Sequence, residues 1–387
     1  MLGDKFVFDA DTHWCEHPDM FTSRASADVL DRVPRVEEVD GQKMWVMDGN
    51  VVMGQFSAGG VINRKGEKVD ADTALHTWGV DDITEAAYNP VERLKVMDSL
   101  GIDAALVFPS TLGLGGQGFG LGKDDSFAKY VISMYNDIQA EIQDQSKNRL
   151  LPLPLMPAWS VEACVAEVKR VAAMGARGIN MTSDPDDLGG PDLVSTEWDP
   201  FWEACVDAQL PVHFHIGASV TGMTFYGKYP WASHPTPTKL AIGGTLLFIG
   251  NARVVTNLIL SRVFDRHPDL QTVSVESGCG WIPFILETLD YEMAENSPEE
   301  LAKFKKMPSE YFKTNMYATF WFERNWGQLD SLVNTIGADR ILFETDFPHP
   351  TCLYPDPLGQ IGDVLAGLPG DAGEKILGAN SKKLYRL

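Results

Sequence analysis

Hydrophobic and polar positions along the chain follow two periods in turn, one typical of buried strands and one typical of helices. The run Asp103–Phe108 is short and apolar on both faces, as strands of a covered parallel sheet are. Segments 125–146 and 160–174 have apolar positions at helical spacing, and each is followed by another short strand. Counted from residues 6–13 to Arg340–Asp346, the alternation predicts eight strands, with the seventh at 313–317 and a helix after it at 325–336. Another helix is expected to begin after the cap Asn89-Pro90 and to end at Gly101. We therefore expect an α/β protein built as a (β/α)8 TIM barrel.

Residues from about 30 to 82 interrupt this alternation. They contain β-prone pieces separated by Asp40-Gly41 and Asp48-Gly49, which are sequences typical of tight turns. We expect a small β insertion after strand 1, followed by a loop. Because no linker-like stretch divides the chain, residues 1–387 are predicted to form one domain with this insertion.

The charge and cysteine content limit the classes of partner. A formal net charge of −22 argues against nucleic acid and against an anionic membrane surface, because both need a basic face. The five cysteines are scattered without a CxxC pair, which indicates reduced thiols rather than a disulfide framework. No signal segment and no uncharged apolar run of membrane-spanning length is evident. The expectation is a cytoplasmic protein that acts on a small molecule.

The first predicted strand carries Asp9, Asp11 and His13 on one face, because side chains alternate along a strand. Buried carboxylates and imidazoles normally pair or bind a metal, and Asp11 and His13 have the spacing of two ligands. In a barrel the functional groups lie at the carboxyl ends of the strands. Oxygen and imidazole groups of this kind suit Zn²⁺ or a similar divalent ion. The polar residues at the predicted strand ends are Asp11, His13, His213, His215, Glu276 and Asp346.

Four stretches give this pattern a family resemblance, namely Asp9–His13, Val212–Gly217, Val275–Pro283 and Ile341–His349. The sequence resembles the amidohydrolase superfamily, in the branch related to aminocarboxymuconate semialdehyde decarboxylase. The resemblance implies one divalent ion, with Zn²⁺ expected and Mn²⁺ or Fe²⁺ as alternatives, and a homodimer. The ligands it implies are Asp11, in place of the usual His or Glu, with His13, His215 and Asp346.

Further residues have candidate roles around this set. Glu276 stands where relatives often carry His, and proton transfer or orientation of a ligand is favoured over direct ligation. His349 is a catalytic candidate in the loop after strand eight, with fixing of the turn as the alternative. Substrate-binding candidates are His213, for which a hydrogen-bonded core role is favoured over metal ligation, and Trp281 in an aromatic pocket wall. Arg324 is a further candidate, as a carboxylate anchor, with a solvated helix start as an equal alternative.

Two chemistries share these residues. The first is hydrolysis of an amide, an ester or the C–C bond of a β-dicarbonyl compound by a metal-activated water, with Asp346 as the proton acceptor and Glu276 or His349 assisting. The second is non-oxidative decarboxylation of a hydroxylated aromatic or enoic acid, in which Asp346 protonates carbon. Hydrolysis is the main hypothesis and decarboxylation the alternative. A barrel that only binds small molecules is a third possibility, and a complete ligand set argues against it.

A glycine-rich run, Gly113–Gly118, matches the GxGxxG pattern of dinucleotide-binding folds. That pattern requires a helix that begins within the motif and an acidic residue about 20 positions later. Here glycines continue to Gly122 in a longer loop, so a loop over the barrel mouth is expected rather than a nucleotide site.

Overall fold

A computed structural model of the protein describes residues 5–110, 112–122, 124–227, 230–324 and 329–387. Most strands in these ranges are short. Their bounds are β1 Phe8–Asp9, β2 His13–Trp14, β3 Arg35–Val39, β4 Gln42–Met47, β5 Val51–Gln55, β6 Ala104–Pro109, β7 Leu150–Pro152, β8 Ile179–Asn180, β9 Val212–His215, β10 Thr272–Val275, β11 Met316–Phe320 and β12 Ile341–Phe343.

Helices fill most of the intervals between the parallel strands. The α-helices are α1 Ala71–Thr77, α2 Pro90–Leu100, α3 Asp125–Gln145, α4 Val161–Ala173, α5 Asp199–Asp207, α6 Val220–Gly227, α7 Thr236–Leu247, α8 Gly250–Leu260, α9 Val263–Arg266, α10 Ile282–Asn296, α11 Pro298–Leu301, α12 Pro308–Asn315, α13 Leu329–Ile336, α14 Pro357–Ala366, α15 Ala372–Glu374 and α16 Asn380–Leu384. Shorter 3-10 turns are Glu85–Ala87, Gln117–Leu121, Pro185–Leu188, Thr196–Trp198 and Ala338–Arg340, and Lys375–Ala379 is a π-helical turn. Positions 325–328, where we expected α13 to begin, lie outside the described residues.

The strands between the helices form two parallel sheets. In one sheet β6 pairs with β1, β2 and β7, and the other has the order β12-β11-β10-β9-β8. Isolated parallel bridges, Thr12 to Phe347 and Leu155 to Asn180, connect the two sheets at both edges. The α/β class is confirmed. Closure into a (β/α)8 barrel and the single-domain assignment stay predictions.

The segment predicted to be β-rich contains a three-stranded antiparallel sheet, β3-β4-β5. Its first turn places Asp40 and Gly41 at φ of 52° and 79°, the left-handed backbone that such Asp-Gly turns favour. Farther along, the expected loop contains helix α1, which begins at the N-cap Asp70. The loop prediction was therefore wrong for this part.

Helix ends follow the local sequence where capping residues are present. Asn89 caps α2 by accepting from Val91 N and Glu92 N, Pro90 occupies the first turn, and Gly101 ends the helix at φ 71°. These are the boundaries that the sequence predicts. The seventh parallel strand is a correction, because we expected it at 313–317 and it begins at Met316. The helix before it extends through Asn315, whose side-chain amide donates to the carbonyls of Pro268 and Leu270.

Between strands β9 and β10 lies an apolar stretch, Thr236–Leu260. By length and composition it could cross a membrane, but one such stretch is weak evidence, and 33% of its most apolar window is buried. A turn at Phe248–Ile249 divides it into α7 and α8, and α8 packs Val254, Val255, Leu258 and Ile259 into the core. The stretch therefore resembles a pair of surface and core helices.

Candidate metal centre

Ligand atoms from three strand ends converge at the carboxyl side of the parallel strands. His13 Nε2 lies 3.4 Å from Asp11 Oδ1 and 3.6 Å from Asp346 Oδ1. His215 Nε2 lies 3.3 Å from the same Asp11 oxygen. All four residues are fully buried or nearly so. The structure therefore connects the four residues expected to be ligands, with Asp346 joined to Asp11 and His215 through His13.

Glu276 and His349 join the same cluster. Glu276 Oε2 lies 3.2 Å from His215 Nε2 and 3.7 Å from His13 Nε2, so its oxygen is as close as those of the predicted ligands. The His349 ring stacks on the His13 ring with centroids 3.6 Å apart, and its Nδ1 lies 2.9 Å from Asp346 Oδ1. Both predicted catalytic residues therefore lie beside Asp346 or the histidines.

The backbone is unusual where the strands deliver these groups. Ile216, Glu276 and Asp346 directly follow or closely follow strands β9, β10 and β12, and their φ angles are 48°, 49° and 62°. Non-glycine residues rarely adopt this left-handed conformation, which costs about 1–3 kcal/mol and recurs at functional sites. The turns redirect the chain immediately after each strand, and in doing so they place Glu276 and Asp346 in the cluster.

The donor set fits a divalent cation. His13 Nε2, Glu276 Oε2 and Asp346 Oδ1 are buried and have no hydrogen-bond partner among the described residues. Ligands about 2.1 Å from a tetrahedral ion lie about 3.4 Å from one another, close to the distances measured between these atoms. Three buried carboxylates in one cluster would repel one another without a positive charge. A cation would satisfy the unpartnered atoms and compensate this charge.

Hydrogen bonds from outside the cluster orient its members. His13 Nδ1 donates to the Pro109 carbonyl over 2.9 Å, which leaves Nε2 as the nitrogen with a lone pair. Thr351 Oγ1 donates to Asp346 Oδ2 over 2.6 Å. Asp9, deeper on the first strand, accepts from Thr345 N over 2.8 Å. These bonds fix which atoms face the centre.

Burial and charge shift the titration of the cluster. Burial, and to a smaller extent the charge of the nearby Asp346 carboxylate, together raise the pKa of Glu276 to about 7. Burial alone would raise the pKa of Asp11, but the charges of His215 and His13 hold it well below its usual range. Glu276 is therefore the carboxyl group better suited to carry a proton near neutral pH.

The three predicted substrate-binding residues make their hydrogen bonds outside the cluster. His213 is fully buried, and its Nδ1 donates to Ile179 O while its Nε2 accepts from the Tyr385 hydroxyl, each over 3.0 Å. Trp281 is half-buried and donates to Ser277 O. Arg324 is exposed and donates to Gln360 Oε1. In the described part of the chain none of these bonds reaches the cluster, so substrate binding by these residues stays a prediction.

Sequence reasoning missed three groups at the site. Ser110 follows β6, and its Oγ lies 3.2 Å from His349 Nε2. Glu344 is fully buried, burial raises its pKa well above the usual range, and its Oε2 accepts from Glu276 N over 3.4 Å. Ser110 directly follows strand β6, and Glu344 lies two residues before Asp346 on the same face. The same pattern of polar residues at strand ends therefore predicts both. Thr351 gave no such signal.

Sequence comparison identifies the family. The amidohydrolase family profile matches residues 69–387. Among curated proteins, the gamma-resorcylate decarboxylase of Rhizobium sp. (strain MTP-10005) is 28% identical over 266 residues, which cover 66% of this chain and 76% of the relative. The same enzyme from Rhizobium radiobacter is 27% identical over 264 residues, with the same coverage.

Solved structures share the fold. An amidohydrolase from Mycobacterium avium subsp. paratuberculosis K-10 superposes with a TM-score of 0.76 at 22% identity, over 99% of both chains. A dihydroxybenzoic acid decarboxylase from Polaromonas sp. JS666, solved with manganese and the inhibitor 2-nitroresorcinol, gives a TM-score of 0.60 at 16% identity, over 99% of this chain and 97% of the other. Since the family profile matches most of the sequence, the protein belongs to the amidohydrolase family.

Proposed function

We propose that the protein is a metal-dependent carboxy-lyase that removes CO₂ from a hydroxylated aromatic acid without an oxidant. The observation that carries this choice is the set of named relatives, which are decarboxylases of dihydroxybenzoates. It reverses the order of the two hypotheses drawn from the sequence, because ligand residues alone do not separate hydrolysis from decarboxylation.

Asp11, His13, His215 and Asp346 would hold the divalent ion. Glu276 is close enough to join them, because its oxygen lies within 4.8 Å of the ligand atoms of Asp11, His13 and His215 in one group and of those of His13, Asp346 and His349 in an overlapping group. When bound, the ion would supply positive charge for the substrate carboxylate and a neighbouring hydroxyl oxygen. Mixed carboxylate and imidazole ligands suit Zn²⁺ and Mn²⁺ alike, and manganese occupies the Polaromonas relative. We propose Mn²⁺ or Zn²⁺ as the physiological metal.

The residues of the chain would handle the proton. When the bond between the ring carbon and the carboxylate breaks, its electron pair stays on the ring carbon and CO₂ leaves. That carbon then takes one proton from the Asp346 carboxyl group, which gives the arene. Glu276 and His349 would return a proton to Asp346 between turnovers, because their ligand atoms lie within 4.8 Å of that of Asp346 and His349 Nδ1 is 2.9 Å from Asp346 Oδ1. Burial of this cluster would keep bulk water away from the developing carbanion.

A solvent-isotope experiment would test the reaction class. Metal-loaded protein is incubated with 2,6-dihydroxybenzoate in D₂O, and the products are analysed by NMR and by CO₂ release. Decarboxylation predicts one equivalent of CO₂ and one deuterium at the carbon that lost the carboxylate. A parallel incubation in ¹⁸O-water with amide and ester substrates tests hydrolysis, which would place the label in the product acid. Label without CO₂ release would overturn the proposal.

The remaining architecture belongs to the same proposal. We infer that the parallel strands, with β1 and β2 as two parts of the first, close into a (β/α)8 barrel, which the bridges at both sheet edges support. All five cysteines are buried and free, as a reducing cytoplasm would leave them. A cytoplasmic homodimer of single-domain chains is the arrangement we propose. Size-exclusion chromatography with light scattering tests the dimer, and a monomer at micromolar concentration would contradict it.

A further inference from the structure

A cavity lies at the end of the parallel strands opposite the candidate metal centre. Its lining includes Pro211, Gln271 and Arg340, each of which directly precedes a strand, β9, β10 and β12 respectively. The metal-centre residues stand at the other ends of these strands. The volume of the cavity is about 550 Å³, within the range of sites for small organic molecules.

The charge of this cavity is opposite to that of the protein. Arg340, Lys383 and Arg386 line it together with one carboxylate, Asp269, whereas the whole chain has a net charge of −22. A further guanidinium, Arg177, lies close enough to Arg386 to lower its pKa, an effect that adds to the larger effect of burial. Clustered cations repel one another, so an anion bound among them would stabilise this arrangement.

Arg340 has donor capacity that the protein does not use. Its side chain is 15% exposed and stacks over the Tyr317 ring, and Nη1 donates to Thr314 O over 3.1 Å and to Gln271 Oε1 over 3.4 Å. Its Nε is buried and forms an ion pair with Asp339 Oδ2 at 3.6 Å, but it has no hydrogen-bond partner among the described residues. A buried guanidinium nitrogen normally has an acceptor. The planar fork of arginine is suited to carboxylate and phosphate oxygens.

We propose that this cavity binds a small organic anion through a carboxylate or phosphate group, held by Arg340, Lys383 and Arg386. The volume is larger than a bare oxyanion requires, and Leu270, Leu210 and the Tyr317 ring supply apolar surface for the rest of such a molecule. The site is separate from the metal centre and does not depend on the reaction proposed above.

The bound anion would also order the C-terminal segment. Lys383 and Arg386 flank Tyr385, whose side chain is fully buried and whose hydroxyl donates to His213 Nε2. Contacts from the anion to both cations would therefore hold residues on either side of this anchored tyrosine. Slower amide hydrogen exchange in segment 383–387 is the expected local signature.

The test titrates the full metal-loaded chain with inorganic phosphate and, separately, with benzoate. Because either anion can also bind at the metal centre, the site of binding has to be located as well as its affinity measured. Binding is measured by calorimetry and located by hydrogen exchange. Lys383→Glu should raise the Kd of the protecting anion about tenfold. Lys382→Glu is the matched control, since its side chain lies over the Phe6 ring outside the cavity and the charge change is identical.

The two anions distinguish a phosphorylated ligand from one that carries a carboxylate. Protection of 383–387 by phosphate alone indicates a phosphorylated ligand, and protection by benzoate alone indicates a carboxylate; either result supports the site. Arg340→Gln is a second variant, and its loss of binding with an unchanged Tm would support the same assignment. If neither anion protects this segment, or if Lys383→Glu and Lys382→Glu bind both anions as wild type does, the proposal is overturned.

Discussion

Glu276 Oε2 lies 3.2 Å from Nε2 of His215, in a cluster that already contains two aspartates and a second histidine. Glu276 directly follows strand β10, and burial raises its pKa to about 7. The position therefore holds an acid that can carry a proton near neutral pH.

Glu276→Gln tests this role. The amide keeps the shape and one oxygen acceptor but cannot carry the proton, so we expect turnover to fall about 10²–10⁴-fold while the metal remains. The measurement is kcat together with metal content by elemental analysis. A variant that loses its metal would identify Glu276 as a ligand, and unchanged turnover would remove it from the mechanism.

His215→Ala should abolish stable metal binding. Removing one donor from a buried set leaves the other groups without a complete coordination sphere, and we expect affinity to fall by more than the roughly 10–100-fold typical of outer-shell changes. Metal content after dialysis gives the answer. His17→Ala is the control, because His17 contacts Asp19 at the surface and should keep wild-type metal content. Equal metal in both variants would contradict the assigned ligand set.

Ser110→Ala should lower kcat with little change in metal content. The Ser110 hydroxyl lies 3.2 Å from His349 Nε2 and so holds the imidazole that contacts Asp346. Loss of one such hydrogen bond corresponds to about tenfold or less in rate. Ser99→Ala, in an exposed position of α2, is the matched control. If kcat and KM of both variants equal those of wild type, Ser110 does not position His349.

The buried Glu323 predicts a pH dependence of stability away from the metal. Burial raises its pKa above the ordinary value of 4.5, against the opposing hydrogen bonds from Cys279 N and Gly280 N. Because the folded-state pKa is the higher one, the stability contributed by this group is fully present below the unfolded-state pKa and is lost as pH rises through the folded-state value.

Glu323→Gln keeps an oxygen for both amides but cannot ionise. We therefore expect the variant to lose less stability than wild type between pH 5 and pH 8, as measured by Tm from circular dichroism at a fixed metal concentration. Parallel Tm profiles for the two proteins would show that Glu323 binds the same number of protons in the folded and unfolded states over this range, which would mean that its folded-state pKa is not raised.

Gly178→Ala should destabilise the fold. A Cβ at this position would lie 2.5 Å from His213 Cε1 and 3.0 Å from Leu153 Cδ2, both fully buried. Overpacking of this kind costs about 1–3 kcal/mol of unfolding free energy. Gly243→Ala is the control: nothing lies within 4 Å of its Cβ, and α7 should gain about 0.5–1 kcal/mol. Chemical denaturation measures the unfolding free energy of both variants. If Gly178→Ala is as stable as wild type, the His213 and Leu153 side chains can shift to make room for the added methyl group.

Local patterns were sufficient for much of the fold. Two-sided apolar strands, helical spacing, and caps such as Asn89 and Gly101 act within a few residues, so the sequence predicts them directly. Boundaries were less accurate where two states compete locally, as at Asn315, which belongs to a helix because its side chain bonds distant carbonyls.

The position of the candidate site could also be read from the chain, because parallel strands present their carboxyl ends on one side and the polar residues at those ends are visible in order. The sequence did not predict which of those groups contact one another. His213 and His215 share a face, yet one bonds Tyr385 from the C-terminal segment and the other contacts Asp11 and Glu276.

By itself the sequence determined the α/β alternation, the strand ends that carry Asp11, His13, His215 and Asp346, and the resemblance to amidohydrolases. Only the tertiary structure decided that Glu276 stands at ligand distance, that Ser110 reaches His349, and that Arg340, Lys383 and Arg386 meet at the opposite end. The reason is physical: propensity and periodicity act over a few residues, whereas these contacts depend on strand register and packing between segments far apart in the chain.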